Sequence, residues 1–593
     1  MMRPTACLLV GALLIGACGD DDDPTGLPEP RPATLVVDSA RVLFDALEQT
    51  ATVSAALLDA AGQPIDDEEG IVWLSLDTVI ASVTPSGVIQ ARANGITRVV
   101  ATHGELADSV VVYVSQEVAS LTVGADSLDL VIGDTVTFPV EARDANGHPV
   151  PFVRFEWSKV DPTSLVAVVV SSTHQRGVRG GVIATAPGTM DIEVVAVGSD
   201  ASEQVHVSVT GHTVDFASVS AGGFSSCGLD QDGVAYCWGS LYIGAYPVLG
   251  GFGTAAFRAP RRIDTELRFD TLAAGHSHAC GLVDGQAYCW GQGSVGELGA
   301  GTFQSSPTPV AVAGGHTFVS LAVGQYHNCG LLASGHALCW GANLHAQLGD
   351  STLIDRAEPV PVENDLAFAS VSAGPYHTCG ITTDGDAYCW GLNDTQQLGT
   401  TAGDTICESI ISINTCSLAP VQVESGDLVI ESIHVGGYHT CALDAAGAAW
   451  CWGQNDLGEL GTGTASQGGI IEPQEVTGGH LFASLTTTMT FTCGLTAGGD
   501  AYCWGKNDFG QLGSSGAITC FTSWLTAEPC MPTPTAVSGG LDFDVIDAGT
   551  YFACGYPTSG IPHCWGENGD GQLGAGADAP FTSPAPLPVL GAT

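Results

Sequence analysis

Basic residues are scarce in this chain of 593: Lys and Arg together number 16 against 63 Asp and Glu, and Lys159 and Lys506 are its two lysines. Nucleic-acid binding needs a basic stripe, so that class is excluded. Charge of either sign is thin, 13% of residues where about a quarter is usual. Long apolar runs are missing as well. The run from Ala6 to Ala17 is too short to span a bilayer. A Ser nucleophile elbow, a P-loop, a dinucleotide fingerprint and a zinc-protease helix are all lacking. The sequence therefore indicates no enzyme class, no catalytic residues and no cofactor.

What is plentiful is glycine, 78 residues, and one repeated stretch. Its cleanest copy is CGITTDGDAYCWG, Cys379 to Gly391, and six others begin at Cys227, Cys280, Cys329, Cys441, Cys493 and Cys554. In six copies a three-residue loop ending in Gly separates two short apolar runs, as in a β-hairpin with Gly at the left-handed position. The copy at Cys280 is one residue shorter and turns on Asp284-Gly285. Register is preserved in all seven. Each Cys faces its partner at a non-hydrogen-bonded pair, where Cα atoms lie about 4.5 Å apart, within disulfide reach. The expected bridges are Cys227–Cys237, Cys280–Cys289, Cys329–Cys339, Cys379–Cys389, Cys441–Cys451, Cys493–Cys503 and Cys554–Cys564. One step inward Gly380 faces Tyr388, and the reading is that the tyrosine ring covers the glycine.

Twenty cysteines account for more. Cys407 with Cys416 and Cys520 with Cys530 make two further local pairs, so eighteen fall into nine neighbours. Zinc wants four converging ligands, and isolated pairs on separate hairpins do not offer them. Disulfides in an oxidising compartment are the reading. Residues 1–17 read as an export signal, with Arg3 before the apolar run. It ends Leu14-Ile15-Gly16-Ala17-Cys18, which resembles the lipobox of bacterial lipoproteins. That resemblance makes Cys18 the lipidated first residue, and a lipid anchor the chain's one link to a membrane. Residues 18–32, with Asp20–Asp23 and four prolines, form a flexible leash.

Residues 33–115 are short Val-rich runs between turns, as in a sandwich. The order Trp73, then ASVTPSGVIQA, then Val99-Val100-Ala101 resembles the group 2 bacterial Ig-like domains. Residues 117–210, with Trp157, look like a second and more divergent copy, altered around His174–Gly181. These modules are spacers or adhesive units in such proteins.

From 213 to 593 the first hairpin cysteines recur with a period close to 50 residues, the signature of a propeller or solenoid. Each unit reads as strand A (Pro-x-Pro-Val-x-Val), strand B (Phe-x-x-Val-x-Ala-Gly) and the hairpin as strands C and D. A Gly-rich tail follows, such as Asn507-Asp508-Phe509-Gly510-Gln511-Leu512-Gly513. This tail with Cys-Trp-Gly resembles the regulator of chromosome condensation repeat, a seven-bladed β-propeller family. The first copy departs from it, with SLYIGAYPVLGG after Trp238-Gly239. The resemblance implies an all-β chain: two Ig-like sandwiches followed by a seven-bladed β-propeller. The eukaryotic namesake activates a nuclear GTPase on chromatin, a role unsuited to an exported acidic chain, whereas a secreted bacterial relative inhibits β-lactamases through one face. The seven units lack a first A strand, and Pro586–Leu590 is expected to supply it by pairing beside Phe216–Ala221.

His278, His327, His377 and His439 each stand two residues before a hairpin Cys, but Ser225, Phe491 and Phe552 occupy the place elsewhere, so packing is the reading and no metal is expected. A binding face is the function the sequence supports. B–C and D–A connections share one face of an antiparallel meander. The D–A insertions hold Tyr242, Tyr246, Phe252, Phe257, Phe521 and Trp524, and the B–C connections hold Phe224, Tyr326, Tyr376, Tyr438 and Tyr551. The expected partner is an extracellular protein or glycan, bound by a monomer in the bacterial envelope. Other readings are a structural or adhesive envelope protein and an inhibitor of an extracellular enzyme. Changing Cys18→Ala should leave the chain secreted but without lipid; metabolic labelling with a radiolabelled fatty acid checks this, and label retained on the variant would refute the lipobox.

Overall fold

Alternating apolar and polar residues between glycine turns leave this chain nothing to form but strands. The computed structural model describes residues 31–593 except 66–69, 172–178, 213, 247–250, 364, 409–412, 523–525, 558–559 and 592–593, and its elements are all strands. The export signal, Cys18 and most of the leash lie outside the described residues. The chain divides into two compact units, residues 1–120 with 142–151, and residues 121–141 with 152–593.

In the first unit, strands such as Arg41–Phe44, Leu106–Val114, Gly95–His103 and Val72–Ser75 form one sheet, and shorter strands around Thr34–Val37 and Val88–Ala91 cover it. Leu35, Leu57 and Ile89 meet Phe44, Val99 and Val112 in a shared dry core. The second unit opens with another two-layer arrangement. Its inner faces join Ile132, Phe138 and Val182 to Ile192, Val205 and Val207.

Seven consecutive antiparallel sheets follow. Each runs inner strand, two hairpin strands, outer strand, as in Phe318–Val323, His327–Leu332, Ala337–Gly341 and Arg356–Pro361. Each sheet packs on the next, and the last packs on the first, where Phe552, Cys554 and Leu573 meet Phe216 and Trp238. The sheets thus close a ring. The Pro-rich A strand is the outer strand of the sheet it follows, an edge where proline's missing N–H is harmless. Hence Thr582–Pro588 pairs with His563–Glu567 and not beside Phe216–Ala221, contrary to the sequence expectation. The two ends of the ring segment are tied instead by Val214 N donating to Gly591 O at 2.7 Å.

Within each hairpin the register matches the sequence reading: Cys379 faces Cys389 and Gly380 faces Tyr388. The seven hairpin disulfides have Cα atoms 4.0 or 4.1 Å apart. Cys407–Cys416 and Cys520–Cys530 are also bonded, at 5.9 Å. The ring over the glycine is not the tyrosine, however. A bulge after Phe368 turns that side chain of the inner strand onto Gly380, where a Cβ would stand 2.6 Å from its Cδ1. The sequence carries the complementarity: the fifth sheet has Ile430 for the phenylalanine and Ala442 for the glycine.

Sheets are joined by a repeated clasp at the Gly-rich tails. In the tail Asn343 Oδ1 accepts from Leu348 N at 3.0 Å and Gln347 Oε1 from His345 N at 2.9 Å, which holds the Gln347 carbonyl outward. From the next sheet Trp390 Nε1 donates to that carbonyl at 3.0 Å and Thr378 Oγ1 at 2.8 Å. Equivalent indole bonds reach Gln572, Glu297, Gln397, Glu459 and Gln511. Trp290 follows the one sheet whose third strand runs on as a ribbon in place of the tail.

The four repeated histidines complete the clasp. Nε2 of His327, His377 and His439 lies 2.7–2.8 Å from Thr378, Thr440 and Thr492 of the next sheet, and His278 Nε2 lies 2.9 Å from Asn328 Oδ1. Each threonine proton is already given to a tail carbonyl, so the histidine must be the donor and its Nδ1 stays bare. In His327, His377 and His439 that Nδ1 is buried without a partner. Protonation would strand an N–H there, and burial pushes these three down to about 3 and His278 to about 4.

Two outcomes follow. Gly380→Ala should lower stability by about 1–3 kcal/mol through overpacking, and Phe368→Ile in the same chain should restore part of it in thermal melts, as Ile430 with Ala442 suggests. Second, the unfolded chain binds protons on these histidines from about pH 6.5 downward while the native ring refuses them to about pH 4, so stability falls with pH across that window. Burial raises Glu297 and Glu459 to about 7, which opposes the trend with two groups against the histidines, and His434 adds a fifth histidine held near 4. Each uncompensated histidine costs about 1.4 kcal/mol per pH unit. A melting temperature equal at pH 4.5 and pH 7 would refute this.

Candidate functional site: one face of the ring

The inner strands end together at the B–C connections and enclose a central cavity of about 300 Å³. Ser220, Ser372, Thr486, Thr487, His434 and Asp547 are among its lining residues. Asp547 is held from four sides: Ser220 Oγ and Ala221 N at Oδ2, Thr486 Oγ1 and Ala548 N at Oδ1, all between 2.9 and 3.1 Å. Burial outweighs these bonds and keeps its carboxyl above the usual range. His434 Nε2 lies 3.1 Å from Ser432 Oγ. Gln325 Nε2 donates to Thr550 Oγ1 at 3.0 Å, tying the connection of the third sheet to that of the seventh across the ring.

Around this mouth the B–C aromatics come together. Phe224 meets His276 at 4.7 Å between ring centroids, His276 meets Tyr326 at 5.0 Å, Tyr326 meets Tyr376 at 6.3 Å, and Tyr376 meets Tyr438 at 5.3 Å. All five are half-buried. Tyr551 stands apart and meets Phe509 at 5.4 Å, because the sixth sheet carries Met489 and Thr490 where a further ring would close the arc. D–A tails reach the same face, since His345 lies 5.1 Å from Tyr376 and Thr395 Oγ1 donates to Tyr438 O at 2.9 Å. Burial, with neighbouring Tyr376, raises the Tyr438 hydroxyl above its ordinary range.

Outside the arc the D–A connections form an apolar rim. Phe303, Phe521 and Phe581 are exposed, the last at 68%. Leu344, Ile354, Ile406 and Ile518 are exposed between them. The opposite face exposes Val319, Val429, Leu481, Val545 and Leu590, and its aromatics, such as Tyr502 against His480 at 4.1 Å, are half-buried beside the hairpin turns. The two disulfide-clipped insertions are short hairpins that add a fifth strand to their sheets. Each leans on the preceding sheet, Cys407 and Cys416 against Ala346, Cys520 and Cys530 against Leu457.

Of the residues proposed from sequence, Phe521 is exposed on the rim and Phe224, Tyr326, Tyr376, Tyr438 and Tyr551 are in or beside the arc. Phe257 is not on the face. The first insertion pairs as two long strands, Ala235–Tyr246 and Gly251–Arg262, and Phe257 is fully buried against the core of the preceding sandwich, with Ala255 and Ala259. Small and apolar residues at alternate positions make that strand a packing surface. Tyr242, Tyr246 and Phe252 lie in this ribbon, with side chains outside the described residues, and Trp524 lies outside them altogether. The rim residues Phe303, Leu344, Ile354, Ile406, Ile518 and Phe581 were missed. Their signal was a large apolar residue in a loop made mostly of small and polar residues. The repeated histidines belong to the clasp, and no group of three or more His, Cys, Asp or Glu able to hold a metal exists among the described residues.

Comparison with known proteins agrees with this architecture. Two models of the regulator of chromosome condensation (RCC1) repeat match, one over 216–240, 318–347, 368–397, 430–459 and 490–511, the other over 284–331, 334–381 and 384–443. The chain is 31% identical over 170 residues to the mitochondrial RCC1 domain-containing protein RUG3 of Arabidopsis thaliana, covering 28% of this chain and 36% of that one. It is 26% identical over 167 residues to the secretion-regulating guanine nucleotide exchange factor of Bos taurus, covering 26% and 35%. It thus spans about a third of the length of these relatives. Among solved structures, Prp20p of Saccharomyces cerevisiae superposes with a TM-score of 0.51 at 19% identity, over 61% of this chain and 87% of that one. Between residues 216 and 511 the chain therefore carries repeats of the RCC1 type.

Proposed function

We propose that the chain is a surface-anchored binding protein whose ring, a seven-bladed β-propeller spanning 213–593, presents the arc-and-rim face to an extracellular protein. Residues 1–17 act as a lipoprotein signal, Cys18 carries the lipid, and Ig-like modules at 33–115 and 117–210 hold the propeller away from the membrane. The carrying observation is the asymmetry in what the two faces expose: Phe303, Phe521 and Phe581 around the arc on one side, and aliphatics among the described residues of the other. Rigid aromatic anchors inside a water-excluding rim are the usual make-up of a protein-binding hot spot. The disulfide clips support the reading, because a loop already ordered loses less entropy on binding. Prp20p is described as binding Gsp1p and histones, so a propeller of this kind can serve as a protein-binding platform.

Guanine-nucleotide exchange is not carried over from the bovine relative, which shares only 167 aligned residues with this chain. An enzyme is the second reading and would have to use the central cavity, where Asp547 already accepts four hydrogen bonds. For the test, the immobilised protein captures a partner from the envelope and secreted proteins of its source. Phe521→Ser and Phe581→Ser should each weaken that partner at least ten-fold, about 1.4 kcal/mol, with unchanged melting. Loss on Val429→Ser or Leu481→Ser instead would move the site to the opposite face.

A further inference from the structure

The arc is placed in a markedly acidic setting. Asp394 is exposed, accepts from Thr415 N at 2.5 Å, and lies within electrostatic reach of both Tyr438 and His345. Near Tyr551, Glu567 lies within reach of Asp508 and Asp570 and is held above the usual carboxylate range by burial and those neighbours. The basic side chains of these connections are all engaged. Arg356 pairs with Asp350 at 2.7 Å, Lys506 with Asp508 at 2.9 Å, and Arg258 donates to the carbonyls of Asn568 and Gly569 at 3.2 and 2.7 Å. Arg258 keeps its charge beside Asp570, while the formally charged group that acts on Tyr438 is Asp394.

We propose that the partner enters this face through an arginine seated on Tyr376 and Tyr438 beside Asp394. Resting on the binding reading above, it names the partner's chemistry: a protein with a basic docking surface. A cation is drawn to the electron-rich face of a tyrosine, more strongly where the ring is partly desolvated. Arginine fits better than lysine because its planar guanidinium can lie on a ring while its edge donates to a carboxylate. Tyr326 stacks on Tyr376 with 27° between planes and holds that ring in place. Leu344, Ile354 and Ile406 are exposed on the D–A connections of the same face, apolar surface that a free amino acid would leave uncovered, so a protein surface is the occupant. A net charge of −47 steers such a partner in, with an on-rate that falls as salt rises.

The probes are the amidated tripeptides tri-arginine and tri-glutamate and the neutral sugar chitotriose, each titrated into the full chain by calorimetry. Tri-arginine should bind, weaken as salt rises from about 50 mM to about 500 mM, and lose at least ten-fold in affinity in Tyr376→Leu and in Asp394→Asn. Tyr376→Phe, which keeps the ring, should bind as the parent does. Equal or tighter binding of tri-glutamate overturns the proposal, as does chitotriose binding that Tyr376→Leu abolishes, which would make the arc a sugar platform. Tri-arginine affinity unchanged in Tyr376→Leu overturns it too. With a captured protein the two readings separate. Loss on Phe581→Ser with indifference to Tyr376→Leu and Asp394→Asn leaves the face and removes the arginine seat, whereas indifference to all of them removes the face.

Discussion

One backbone carbonyl at each of six joints holds the ring together. In the tails of the third to seventh sheets an Asn and a Gln or Glu side chain fold the Gly-rich stretch onto itself, so that the carbonyl points at the neighbouring sheet. Two donors of that neighbour, an indole N–H and a hydroxyl or amide, then share it. These bonds are buried, so leaving one unmade would cost the desolvation of its donor, about 1–3 kcal/mol. The tryptophan also brings the largest apolar area in the repeat. Geometry and burial thus act at one point, and the angle between adjacent sheets follows from it.

That arrangement explains where variation is tolerated. The hairpins keep their register, even where the second turn is one residue shorter, because a shift would misalign cysteines, tryptophan and carbonyl together. The outer edge carries no such constraint. Every long insertion sits between third and outer strands, and each has found its own support. The first is packed on the preceding sandwich through Phe257, and the fourth and sixth are clipped by disulfides and rest on neighbouring tails. A face of variable loops on an invariant ring is how a binding surface is separated from the scaffold that carries it.

The central mouth follows from the same symmetry broken locally. Seven inner strands converge with small residues, Gly222, Gly275, Gly324, Gly374, Gly436 and Gly549 among them, and several would place a Cβ within 2.7 Å of a neighbouring backbone oxygen. Close approach at the axis forces the bulk one or two residues onward, which is where the aromatics stand. Their arc stops at the sixth sheet, where Thr488 replaces the axial glycine and Thr490 the tyrosine.

How much of this was legible in the sequence depended on the range of the interaction. Hairpin register, nine local cysteine pairs and the repeat are set by near neighbours at fixed spacing, so Cys379, Gly385 and Cys389 alone define a unit. Which sheet owns the Pro-rich strand could not be read, because an edge strand pairs equally well in pattern with what precedes or follows it. Only the packing of outer edges decided that Thr582–Pro588 stays with His563–Glu567. Likewise Tyr388 and Phe368 both offer a ring to Gly380, and the bulge that selects Phe368 is a backbone detail without a residue signature. For the face, alternation in a meander put the B–C tyrosines and D–A loops on one side from sequence alone. Exposure was a tertiary matter: Phe257 and Phe521 sit in comparable insertions, yet one meets a sandwich core and the other meets water, because the ribbon of the first sheet lies against that core and the hairpin of the sixth does not.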